Sequence, residues 1–83
     1  MAYQGKHYTA TDVAALAIDQ HGLCAYCGQP LKSYHIDHIQ PLSRGGGNGA
    51  DNIALACSPC NLSKGDKTLL EWMLRKRGAA HGN

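Results

Sequence analysis

With 83 residues, 43% of them apolar and none of them Phe, the chain has room for one small domain and excludes a second core. Nine Leu, four Ile and one Val are too few for a self-sufficient apolar core, so another staple must hold the fold. Eight Lys and Arg against six Asp and Glu leave a net charge of +2, which argues against disorder of the whole chain and against recruitment of nucleic acid by bulk charge.

In chain order, Thr11 to Gln20 reads as a short amphipathic helix capped by Thr11, with Val13, Leu16 and Ala17 on one stripe and Gly22 just past the end. Leu23 to Gln29 forms a tight knuckle, Cys24-Ala25-Tyr26-Cys27-Gly28, in which the glycine takes the left-handed conformation. Tyr34 to Ile39 alternates apolar and polar residues as a strand does, and Pro41 with Gly45-Gly46-Gly47-Asn48-Gly49 predicts a long flexible loop after it. Ile53 to Ala56 predicts a second strand returning antiparallel to the first. Ser58 as N-cap, with Pro59 as the first helical residue, starts a short helix that reaches Lys64 and closes at Gly65. Thr68 and Glu71 form a capping box for a last helix over about 69–77, with Leu70, Met73 and Leu74 on one face and Gly78 beyond its end. Trp72 in that helix is expected to anchor the core, and Ala79 to Asn83 to fray. The fold class is α+β.

The cysteines supply the staple. Cys24-x2-Cys27 and Cys57-x2-Cys60 have the spacing that points paired thiolates into one tetrahedral zinc site, with bonds of about 2.3 Å. Disulfides are the competing use of four cysteines. They are disfavoured because no charged segment followed by an apolar stretch signals export, so a reducing, cytoplasmic compartment is expected. No stretch approaches the ~18 apolar residues of a membrane span, and no lipidation motif is present. Four thiolates and one Zn²⁺ bring the formal charge to about zero, but its distribution is uneven. Residues 61–83 carry Lys64, Lys67, Arg75, Lys76 and Arg77 against Asp66 and Glu71, a local +3, while residues 1–31 sum to −1. The 29 residues between the cysteine pairs leave room for a folded insert, where chemistry is expected.

That insert and its borders read Asp37-His38-Ile39-Gln40-Pro41-Leu42-Ser43-Arg44-Gly45-Gly46, then Asp51-Asn52-Ile53, then Cys57-Ser58-Pro59-Cys60-Asn61-Leu62-Ser63-Lys64. In this ordered combination residues 24–67 resemble the HNH endonuclease family. The resemblance implies a zinc-stapled ββα-metal domain over residues 1–83, with its core at 24–67. It implies structural Zn²⁺ on Cys24, Cys27, Cys57 and Cys60 and a separate catalytic cation such as Mg²⁺ or Mn²⁺. His38 is then the general base, Asp37 and Asn61 are ligands of the catalytic cation, and Asn52 ties loop to strand and so fixes the imidazole. The family commonly has His where this chain has Asn61; a carboxylate with an amide oxygen suits hard cations. The implied reaction is hydrolysis of DNA phosphodiesters to 5′-phosphate and 3′-hydroxyl ends. A neutral imidazole takes a proton from water while the cation neutralises the phosphate and the departing oxygen. Family members act in phage packaging, restriction and mobile elements, so a bacterial or phage-infected cell and a protein partner for targeting are further expectations.

One physical tension accompanies these assignments. Regular alternation would put Asp37 and His38 on opposite faces, so the strand must twist or end there. His35, on the Asp37 face, is a candidate outer partner, third ligand or phosphate contact, and Arg44 and Lys64 are candidate phosphate contacts; all three read nearly as well as ordinary solvated residues. His7, His21 and His81 receive no role. The glycine run lacks the Lys-Ser or Lys-Thr of a phosphate-cradling loop and reads as a hairpin connection able to lie against nucleic acid. The alternative function is a non-catalytic four-cysteine module that binds nucleic acid or a protein, with zinc but no second metal. Because structural zinc is worth ~10–16 kcal/mol against the ~5–15 of a whole domain, strong chelation with the thiols blocked is expected to abolish the folded circular dichroism spectrum. A retained spectrum would remove the staple.

Overall fold

The computed structural model describes residues 7–81, with side chains through residue 77. In chain order it contains α1 (Ala10–Asp19), β1 (His35–His38), β2 (Ile53–Ala56), α2 (Ser58–Lys64) and α3 (Leu69–His81). The two strands pair antiparallel, with His35 opposite Ala56, Asp37 opposite Ala54 and His38 opposite Ile53. β2 is apolar throughout and buried at all four positions, because α1 packs against it and α2 packs against its partner β1. A hairpin followed by a helix, framed by α1 and α3, gives the α+β class expected.

α1 is capped by Thr9 rather than Thr11. The Thr9 hydroxyl accepts from the Asp12 N–H at 3.1 Å and Asp12 Oδ2 accepts from the Thr9 N–H at 2.9 Å. Thr11 has Ala14 three residues on and cannot make this reciprocal pair. Val13, Leu16 and Ala17 are half-buried toward the sheet. Gln20, the C-cap, reaches the free edge of β2: its Nε2 donates to the Leu55 carbonyl at 3.0 Å and its Oε1 accepts from the Leu55 N–H at 3.1 Å. His21 and Gly22, both at positive φ (57° and 70°), then turn the chain into the first knuckle.

The connection between the strands is not the loose loop expected. It folds as two short 3₁₀ turns, Leu42–Arg44 and Ala50–Asn52, joined by the glycine run. Gly46 passes so near the end of β1 that a Cβ would lie 1.8 Å from the Gln40 carbonyl oxygen, so only glycine fits there. α2 begins one residue before its expected start, with Cys57 as N-cap in extended backbone (φ −72°, ψ 159°) and Pro59 in the first turn, and it closes at Gly65.

α3 opens on the expected capping box: Thr68 N–H to Glu71 Oε1 at 2.9 Å, and Glu71 N–H to Thr68 Oγ1 at 3.1 Å. It runs through Gly78 to His81 instead of stopping near Arg77, since Ala79 and Ala80 favour continuation and no proline follows. Trp72, 3% exposed, packs with Cys24, Ala56 and Cys60, stands edge-on to Tyr26 at 5.2 Å and donates from Nε1 to Ser63 Oγ at 2.9 Å. Leu70, Met73 and Leu74 do share a face, but it is turned to solvent (67%, 52% and 56% exposed), while Leu69 and Trp72 point inward. The indole anchors the core as expected, and the Leu70, Met73 and Leu74 face takes no part in it. Trp72→Ala is therefore expected to cost ~3–5 kcal/mol, read as a lower urea midpoint at unchanged slope. Met73→Ala should stay within about 0.5 kcal/mol.

Candidate functional site

Two centres adjoin the hairpin and α2. The first is the cysteine cluster: the sulfurs of Cys24, Cys27, Cys57 and Cys60 all lie within 4.8 Å of one another, and Cys27 Sγ is 3.8 Å from Cys57 Sγ. A tetrahedral ion with bonds of about 2.3 Å needs sulfur-to-sulfur edges of roughly 3.8 Å, so the residues fit Zn²⁺. The cysteines form no disulfide. Burial pushes the Cys24 thiol up, but the backbone N–H groups of Cys57, Cys27 and Tyr26, at 3.4–3.5 Å, outweigh it and bring the thiol down to about 6. Burial, and after it the neighbouring sulfurs, push Cys60 the other way. Like charges this close do not all ionise on their own; a dication is what allows four thiolates together.

The second centre is a cleft of about 310 Å³ at the end of β1, lined by Asp37, His38, Ser43, Asn61 and Asp66 among others. Asp37 is 4% exposed, and its two oxygens are treated differently. Oδ2 accepts from the Tyr26 hydroxyl at 2.5 Å and pairs with Lys64 Nζ at 3.2 Å, whereas Oδ1 has only a long contact of 3.3 Å from Asn61 Nδ2. Burial first, and the Asp37 hydrogen bond and charge after it, hold the Tyr26 phenol well above its usual range, so it stays protonated and donates. Lys64 is fully buried and also donates to the His38 carbonyl at 2.9 Å. The side-chain set, one carboxylate and one amide with an acid nearby, is the oxygen-rich kind that suits a hard divalent cation.

His38, the last residue of β1, lines the cleft next to Asp37, and its ring is engaged from the glycine loop. Its Nε2 lies 2.7 Å from Asn48 Oδ1, and Asn48 Nδ2 lies 2.8 Å from His7 Nδ1. Asn52 binds the loop to the strand end with three bonds: Oδ1 accepts from the Gln40 N–H at 2.9 Å, and Nδ2 donates to the carbonyls of Gln40 at 2.9 Å and Gly47 at 2.8 Å.

Residues 24–67, just over half of the chain, match the HNH endonuclease family profile. The chain belongs to the HNH endonuclease family. Over 52 aligned positions, covering 59% of the chain, it is also 38% identical to the CRISPR-associated endonuclease Cas9 of Corynebacterium diphtheriae, of whose length it covers 5%. Both findings point to nuclease chemistry and a nucleic acid substrate as properties of the class. The HNH region includes every cysteine of the cluster and Asp37, His38, Asn52 and Asn61.

Other residues singled out in the sequence fall elsewhere. Lys64 is no free phosphate contact: it is the buried ion partner of Asp37, because it follows Asn61 by one helical turn and so faces β1. Arg44 is engaged by Glu71 in a two-pronged pair at 2.9 Å, which ties the first 3₁₀ turn to α3 and, with the Thr68 N–H, holds Glu71 down at about 2. His35 stands exposed at the start of β1, outside the cleft. Tyr26, Asn48 and Asp66 were not singled out. Tyr26 sits inside the Cys-x2-Cys knuckle, where its position between two metal ligands was a usable signal; Asn48 was hidden in the glycine run. Since removing one partner of a buried ion pair leaves the other uncompensated, Lys64→Met is expected to destabilise the fold by ~3–5 kcal/mol in urea denaturation. The exposed Lys32→Met should change it by less than about 0.5 kcal/mol.

Proposed function

We propose that this chain is a metal-dependent endonuclease that hydrolyses DNA phosphodiester bonds, with His38 as general base and Asp37 and Asn61 as ligands of one catalytic Mg²⁺ or Mn²⁺. The observation that carries the reading is the convergence of Asp37, His38 and Asn61 on one open cleft at the end of β1. When bound, the cation neutralises the charge that builds on the phosphate and on the departing 3′ oxygen. Asp37 would offer it Oδ1, the oxygen without a strong donor, and Asn61, whose amide now makes only the 3.3 Å contact with that oxygen, would supply its amide oxygen.

His38 acts on the attacking water. With the Asn48 oxygen facing the ring, Nε2 carries the proton and Nδ1 is the nitrogen left to accept one. A base so placed contributes about 10²- to 10⁴-fold. Asn52 supports it at one remove, because its three backbone bonds hold the glycine loop, and therefore Asn48, against the end of β1. The cysteine centre takes no part in the chemistry; it fixes the knuckles from which Tyr26 and α2 reach Asp37. A module of this size buries only ~600–1,000 Å² on DNA, so weak sequence preference and a targeting partner accompany the reading.

The test is a plasmid nicking assay with and without Mg²⁺ or Mn²⁺. His38→Ala is expected to lower the rate by at least about 10²-fold at unchanged fold, and Asp37→Asn to abolish the dependence on added cation. Equal cleavage by the parent and His38→Ala would remove the base. Absence of cleavage with every cation would leave a zinc module that binds nucleic acid or protein without cutting.

A further inference from the structure

We propose that Tyr26 is a positioning residue for the cation site: its hydroxyl fixes the Asp37 carboxylate so that Oδ1 is the oxygen presented to the cleft. The inference rests on the nuclease reading, in which Asp37 is a cation ligand, and concerns what aims that ligand.

Three observations carry it. The hydroxyl lies 2.5 Å from Oδ2, in the range of a charge-assisted O–H···O⁻ bond, while Oδ1 has only the 3.3 Å contact with Asn61. Tyr26 is itself held by groups other than Asp37: its N–H donates to Cys24 Sγ at 3.4 Å, its chain is clamped between two cysteines of the cluster, and its ring stands edge-on against Trp72 at 5.2 Å. The carboxylate therefore follows the tyrosine rather than the reverse. Finally, the phenol gives a strong hydrogen bond without charge. Lys64, on the same oxygen at 3.2 Å, adds a positive charge that opposes a dication, so Tyr26 is the donor that orients Asp37 at no electrostatic cost to cation binding. Partners of this kind, one step removed from the ion, typically govern 10- to 100-fold of metal affinity.

Tyr26→Phe keeps the ring against Trp72 and removes only the hydroxyl. In a His38→Ala background, with the cysteine site loaded with zinc, it is expected to weaken Mn²⁺ binding by about 10- to 100-fold in an electron paramagnetic resonance titration. Cobalt substituted at the cysteines should give the same thiolate absorption in both proteins, which shows that the knuckle is intact. Equal Mn²⁺ affinity in Tyr26→Phe and its parent overturns the proposal and leaves the nuclease reading standing. A parent that binds Mn²⁺ no better than Asp37→Asn overturns that reading and this proposal with it. A second measurement needs no change at Tyr26. The hydroxyl proton of the parent should give a far-downfield NMR resonance that shifts with Mg²⁺ at the midpoint of cation binding, and a resonance unmoved at saturating Mg²⁺ counts against Tyr26.

Discussion

Four sulfurs from two knuckles 29 residues apart in sequence meet within 4.8 Å of one another, and the rest of the structure is arranged around that meeting. Cys24 and Cys60 are themselves core residues, packed with Ala56 and Trp72, so the metal cluster and the apolar cluster are one body. Cys57 follows β2 directly and caps α2. Fixing its sulfur therefore fixes where the strand ends and where the helix starts. In so small a domain the free energy of a metal bound at these sulfurs would be folding free energy, and few aliphatic residues would then suffice.

The cleft is built on that staple. Tyr26 comes from the first knuckle, Asn61 and Lys64 from the helix that the second knuckle starts, and all three converge on Asp37. A carboxylate this deeply buried is tolerated because a lysine, a phenol and an amide surround it; among the described residues, no buried side-chain nitrogen or oxygen lacks a partner. The two centres thus differ in character. The sulfur site offers four ligands, a complete tetrahedral set, whereas the oxygen site keeps one carboxylate oxygen weakly engaged on a residue that lines an open cleft.

Much of this was legible in the sequence because the decisive signals are local. Paired cysteines, a period-two run before the prolines and glycines, Pro59 after Ser58, and the Thr68 to Glu71 spacing each declare an element within a few residues. The positions of β2 and of α2's end follow almost to the residue. Less legible were features decided by competition between near-equal local candidates or by contacts across the fold. Thr9 displaced Thr11 because only Thr9 has a carboxylate at the right distance to answer it. The outward turn of Leu70, Met73 and Leu74 depended on which side of α3 the indole occupied, a tertiary choice to which an apolar stripe is blind. Lys64 illustrates the same limit: a cation near a proposed phosphate site reads as a phosphate contact until a buried carboxylate is seen beneath it.

The Gln20 side chain on β2 carries a consequence for how this small sheet keeps to itself. A two-stranded sheet has an unpaired edge on each strand, and such edges recruit strands from other molecules. On β2 that place is taken at Leu55 by a carboxamide, which offers a donor and an acceptor side by side and so imitates one residue of a neighbouring strand. Glutamate could satisfy the N–H but would set an anion against the Leu55 carbonyl, and lysine could only donate. Together with the Ala25 N–H, which also donates to the Leu55 carbonyl at 3.0 Å, this amide guards the most apolar strand of the chain against intermolecular sheet growth.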